Sequence, residues 1–111
     1  GNRLWVDSNN NLIVTEWRNV FNTGDLTHVL EINTTDPTIQ SLAFDFANDK
    51  VVLIEKDFDN NTNIVSTLSL PNYDNYQTLT TSALSPKFVF NNNGQYLVIE
   101  ESDAGFYLTR H

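Results

Sequence analysis

A chain of 111 residues with a formal net charge of -8 and an isoelectric point near 4.3 has room for one domain, and it is electrostatically mismatched to nucleic-acid phosphates and anionic membranes. It has no cysteine, which excludes disulfides, thiolate metal sites and cysteine nucleophiles. No apolar run approaches the roughly 20 residues that a helix needs to cross a bilayer, so the chain reads as soluble, with neither nucleic-acid binding nor membrane insertion expected.

Runs of β-branched and aromatic residues bounded by turn residues predict ten short strands. In chain order they are Leu4 to Val6, Leu12 to Trp17, Thr27 to Ile32, Leu42 to Phe46, Val51 to Asp57, Ile64 to Leu70, Tyr76 to Thr81, Lys87 to Phe90, Tyr96 to Glu101 and Phe106 to Thr109. The expected class is all-β, an antiparallel meander, with a compact sandwich or barrel as the alternative closure. Helical spacing of apolar residues is not sustained; the best stretch, Asp74 to Leu84, is rich in Thr and carries no strong cap. Two strands are apolar at four successive positions, Val51-Val52-Leu53-Ile54 and Tyr96-Leu97-Val98-Ile99. Both faces of those strands must be covered, so sheets are expected to pack on sheets. Thr27 to Ile32 and Phe106 to Thr109 alternate more, as half-exposed outer strands do. Pro37, Pro71 and Pro86 fall between runs, where a missing backbone donor costs least.

Asparagine punctuates the strands. Asn9 to Asn11, Asn60-Asn61 and Asn91 to Asn93 read as hairpin turns, because Asn tolerates the left-handed backbone region and bonds its own main chain. Three segments share one plan, a polar Asn-rich turn, an apolar run and then a glutamate: Asp7 to Glu16, Phe46 to Glu55 and Phe90 to Glu100. Their glutamates are spaced by 39 and 45 residues, within the range of repeated β-units. The units expected from this repeat span approximately 4–32, 42–70 and 76–109.

The stretch Ser85-Pro86-Lys87-Phe88-Val89-Phe90-Asn91-Asn92-Asn93-Gly94-Gln95-Tyr96-Leu97-Val98-Ile99-Glu100-Glu101-Ser102-Asp103-Ala104-Gly105-Phe106-Tyr107-Leu108 resembles a β-propeller blade of the WD-repeat-like kind. Leu42 to Leu70 follows the same plan with a longer outer turn, and Leu4 to Ile32 follows it more loosely. The Gly-His and Trp-Asp pairs of that family are absent, so the hydrogen-bonded network they imply does not carry over. The resemblance implies blade units, and two and a half of them fall short of the four to eight that close a propeller. The expected outcomes are a piece of a longer protein, copies assembled around an axis, or units folded back as a small sandwich or barrel.

Candidate sites are few. Asp57, Asp59, Asn61 and Asn63 place oxygens at alternate positions of a turn, as a Ca²⁺ loop does, but Thr62 and Leu68 stand where such a loop needs glycine and a bidentate acid. A hydrophilic hairpin accounts for the same residues. Glu16, Glu55 and Glu100 end equivalent strands and could form a ring of acceptors for a cation or a basic partner; more simply, each marks where its strand emerges into water. Trp17, Tyr73 and Tyr76 are the aromatics expected at the surface, suited to a protein or glycan patch. His28 and the terminal His111 lie in no nucleophile context, and Asp57 with Asp59 or Glu100 with Glu101 read as solubilising charge rather than as a glycosidase pair. Two N-glycosylation patterns, Asn33-Thr34-Thr35 and Asn60-Asn61-Thr62, together with scarce lysine, lean toward a secreted or envelope setting. The sequence therefore suggests a non-enzymatic interaction module that offers loops and strand edges to a protein partner or to itself, with a glycan- or Ca²⁺-binding domain as the alternative and no other cofactor.

Overall fold

The computed structural model describes residues 3–81 and 85–111. Within them the chain is all-β and antiparallel, three meander sheets in succession with no closed barrel. Sheet I holds β1 (Leu4–Asp7), β2 (Leu12–Thr15), β3 (Asn19–Asn22) and β4 (His28–Glu31). Sheet II holds β5 (Thr38–Asp45), β6 (Lys50–Asp57), β7 (Thr62–Ser69) and β8 (Asp74–Thr81). Sheet III holds β9 (Ser85–Asn92), β10 (Gln95–Ser102) and β11 (Gly105–Arg110). Each strand pairs with its sequence neighbours inside its sheet, so every connection within a sheet is a local turn.

The Asn-rich turns are built as their chemistry requires. Asn11, Asp49, Asn61 and Asn93 take φ between 51° and 54°, each at a hairpin, where an Asx side chain lowers the cost of the left-handed region. Just before each of these residues, an acid or amide at or near the end of the first strand holds the turn, Asp57 doing so before Asn61. The Asp7 carboxylate accepts from the Asn10 main chain and amide, Asp45 accepts from the Asn48 amide, and the Asn91 side-chain oxygen accepts from the Gly94 N–H.

The described residues contain no α-helix; a single 3₁₀ turn, Phe46–Asn48, lies inside the β5–β6 connection. Asp74 to Thr81, the most helix-like stretch of the sequence, is strand β8. It pairs with β7 from Ile64↔Thr81 to Ser69↔Asp74, giving sheet II a fourth strand rather than beginning the next unit. Residues 82–84 of that stretch lie outside the described residues. The additional strand is β3, whose sequence Asn-Val-Phe-Asn has too short an apolar middle to be read as a strand alone.

Sheet II is the middle layer, as its unbroken apolar strand requires. Val51 and Leu53 join Leu12, Val14, Val20 and Ile32 in one core against sheet I, while Val52 and Ile54 join Val89 and Val98 in another against sheet III. Alternate residues of β6 thus serve opposite neighbours, the period-two rule of an extended chain applied to two buried faces. The three look-alike hairpins are not in the same frame. Nine residues separate Asp7 from Glu16 and Asn91 from Glu100, whereas ten separate Asp45 from Glu55. The extra residue turns Glu55 to the other face relative to its hairpin, onto the side of Val51 and Leu53.

Candidate functional site

The first strands β1, β5 and β9 begin at the same end of the molecule, and the glutamates lie there. Strand-end carboxylates facing water would be exposed; instead Glu55 has no exposed surface and Glu16 and Glu100 are buried. The expectation that these acids mark strand exits is corrected by what they bind. Glu55 Oε1 accepts the Asp36 N–H at 2.8 Å, and Oε2 accepts the Ser66 hydroxyl at 2.6 Å and the Tyr76 hydroxyl in a short bond. Glu16 Oε1 accepts the Arg3 N–H at 3.0 Å, and Glu100 is also engaged. In sheets I and II the glutamate therefore satisfies a main-chain donor of the segment leading into its own sheet. A buried carboxylate is tolerable only with such donors, because desolvating it otherwise costs several kcal/mol, on the order of that for any buried ion.

Tyr73, expected at the surface, is 4% exposed, and its hydroxyl donates to Asp7 Oδ2 of sheet I at 2.7 Å. Burial, then this carboxylate, push its ionisation far above the ordinary tyrosine range. Tyr76, likewise expected to be exposed, is half-buried with its hydroxyl on Glu55, and burial is the main cause of its raised pKa. Both corrections have one reason: a ring that would serve as a surface anchor finds a buried carboxylate for its polar tip. A third tyrosine repeats the device. Tyr96 of sheet III donates to Asp45 Oδ2 of sheet II at 2.8 Å, and burial first, then Asp45, push its pKa up to about 12. The hairpin acids Asp7 and Asp45 thus hold their own turn and also receive a tyrosine from the next sheet. Trp17 is exposed as expected, at 59%.

Of the four residues of the Ca²⁺-like turn, Asp57 and Asn61 have their side-chain oxygens engaged by other partners. Asp57 accepts from the Asp59 and Asn60 main chain and the Asn60 amide, the last being the main cause of its lowered pKa. Asn61 Oδ1 accepts from the Lys56 ammonium at 3.0 Å, a cation already placed where a metal would be held. Asn63 is buried on β7 with its Oδ1 unpaired, and Asp59 contributes its main-chain N–H to the turn. No group of three or more His, Cys, Asp or Glu side chains that could hold a metal occurs among the described residues. Asn60 is exposed with its amide bonded to Asp57, Asn33 is exposed, and His28 stacks edge-on against Phe21 with ring centroids 5.3 Å apart.

Sequence reasoning missed a cleft of about 430 Å³ at the end where β1, β5 and β9 begin. Sheet I contributes Arg3 and Glu16, sheet II contributes Lys56 and Phe58, and sheet III contributes Lys87 and Phe88. Its walls are tied together across sheets: the Arg3 guanidinium donates to the Gln40 carbonyl, and the Gln40 amide donates to the carbonyls of Pro86 and Lys87 at 3.2 and 3.3 Å. The basic residues are up to 84 positions apart in a chain with six Lys and Arg in all, so no local motif announces them.

Two further surfaces stand out. The outer face of sheet I carries Leu4, Val6, Ile13 and Phe21, which the register places side by side, with shallow hollows running from Trp17 to Leu26. The outer face of sheet III carries Phe88, Phe90, Leu97, Ile99, Phe106 and Leu108, again on one side by register. Phe106 is 69% exposed, and β11 leaves its outer edge unpaired among the described residues. No family model matches the chain, and no curated protein is recognisably similar to it.

Proposed function

We propose that the protein is a non-catalytic β-rich interaction scaffold, made of propeller-like blade units and associating through the uncovered faces of its two end sheets. One observation carries this reading: sheet II is covered on both sides, whereas sheets I and III each expose an apolar face of the kind that sheet II buries. Exposed apolar side chains clustered on one surface mark association sites in monomeric folds. The edge of β11, with Phe106 and Leu108 exposed and no partner strand among the described residues, adds a row of main-chain donors and acceptors suited to strand addition. A second copy is the simplest partner, since each chain carries both faces and heterologous contact can repeat.

The test is mass against concentration. Light scattering should give masses above the 12.6 kDa of one chain, rising with concentration. The double variant Leu26→Lys, Phe106→Lys should return to single-chain mass with its circular dichroism unchanged. A single-chain mass at every concentration, with one cooperative unfolding transition, would overturn the self-associating scaffold.

A further inference from the structure

The geometry points to the cleft at the start of β1, β5 and β9 as a binding site for a small carboxylate carrying an aromatic or aliphatic body.

Charge is the first argument. Three of the six Lys and Arg residues, Arg3, Lys56 and Lys87, line this one cleft, each from a different sheet, in a chain of net charge -8. Random placement on so acidic a surface would surround each cation with acids. Here the only acid at the cleft among the described residues is Glu16, and its Oε1 is turned to the Arg3 main-chain N–H. Lys56 is buried, with its ammonium on Asn61 Oδ1 and 5.7 Å from the centre of the Phe58 ring. The Lys87 ammonium has no hydrogen-bond or ion-pair partner among the described residues. An ammonium held at a cleft wall without a counter-ion is a ready partner for an anion, and charge-assisted bonds to carboxylate are the stronger class.

Shape and apolar surface supply the second argument. Phe58 is 71% exposed and Phe88 53%, and both line the cleft rather than pack into either core. A charged centre flanked by exposed rings suits a ligand with an anionic head and an apolar body. The volume falls in the usual range for small-molecule sites, about 300–1,000 Å³. Cross-sheet bonds from Arg3 and Gln40 hold the walls, so the site does not await ligand to form.

Phenylacetate is a suitable probe, titrated at constant ionic strength while the backbone amides are followed by NMR. Saturable shifts are expected at residues 38–40, 56–61 and 87–88, with little change at the sheet I turn around Asn10. Lys87→Gln should weaken binding about tenfold, the loss of one charge-assisted hydrogen bond. Phe58→Ala should weaken it less, and both variants should keep the remaining spectrum. The neutral amide phenylacetamide should produce no saturable shift. Three results would each overturn the inference: no saturable response to phenylacetate, equal affinity in the Lys87→Gln protein, or an equal response to inorganic phosphate, which would show an undiscriminating patch of charge. Phe88 also lies on the outer face of sheet III, so the titration is repeated in the Leu26→Lys, Phe106→Lys protein to separate binding from self-association.

Discussion

The two inter-sheet contacts of this protein are made differently. Sheets I and II share a large apolar core, Leu12, Val14, Val20 and Ile32 against Leu42, Val51, Leu53 and Leu68, closed at one end by the Tyr73–Asp7 bond. Sheets II and III share a small one of five residues, four of them valine, and rely on polar bridges: the Val89 N–H to the Ser41 hydroxyl, the Asn91 amide to the Phe44 carbonyl, the Gln40 amide to the β9 carbonyls and Tyr96 to Asp45. Hydrogen bonds exchange with water at small net gain, whereas apolar burial accumulates with area. Sheets I and II should therefore unfold together, with sheet III the first part to open.

Truncating each core sharpens this contrast most. Leu53→Ala, at a fully buried site facing sheet I, should cost about 3 kcal/mol and lower the protection of amides throughout sheets I and II. Val98→Ala, equally buried but facing sheet III, should cost about 2 kcal/mol, and hydrogen exchange should accelerate chiefly at residues 85–110. Uniform loss of protection in the Val98→Ala protein would show the three sheets to be one cooperative unit and would remove the distinction.

Much of this architecture was legible in the chain. The strands follow from β-branched runs, and the left-handed turn positions follow from Asn chemistry, because both depend on neighbours in sequence. What escaped depends on partners far away. Tyr73 meets Asp7 across 66 positions, Asp36 meets Glu55 across 19, and the basic cleft gathers Arg3, Lys56 and Lys87 from three sheets. A glutamate after an apolar run reads as the point where a strand reaches water. Only the placement of the Asp36 N–H and the Ser66 and Tyr76 hydroxyls shows that Glu55 is inside. The polar composition of Asp74 to Thr81 suits an edge strand, yet nothing within the segment says that its partner is β7.

The two inter-sheet tyrosine bonds give a smaller and more specific comparison. Removing the Tyr73 hydroxyl leaves Asp7, a fully buried acid, with one fewer donor, and Tyr73→Phe should cost about 2 kcal/mol. Asp45 is as buried as Asp7, but Tyr96 is only half-buried, so water can follow into the place of its hydroxyl, and Tyr96→Phe should cost about 1 kcal/mol. Chemical denaturation with both variants checks the order, and a larger loss for Tyr96→Phe would mean that the polar bridges, not the apolar core, dominate the sheet II–III contact.

The smallest expected effect concerns Asp36, which lies before β5 with its Oδ2 buried and unpaired. Desolvation, reinforced by the nearby Glu55 and Asp57 charges, raises its pKa above the ordinary aspartate value. A carboxyl whose folded pKa exceeds its unfolded one binds its proton more tightly in the native state, so ionising it opposes folding. Below the unfolded pKa both states are protonated and the stabilising difference is fully present; as pH rises through the folded pKa it is lost. Asp36→Asn keeps the main-chain N–H that Glu55 accepts and removes the ionisation. The variant should melt about 3 °C above the parent at pH 7 and within error of it, relative to that gap, at pH 3. Other acids titrate over the same range in both proteins, so the difference between the two melting curves isolates Asp36. A gap that persists unchanged at low pH would assign the gain to packing of the amide. A variant less stable than its parent at pH 7 would show that the Asp36 charge is compensated after all, with the Lys56 ammonium as the compensating group, since its charge opposes the rise in the Asp36 pKa.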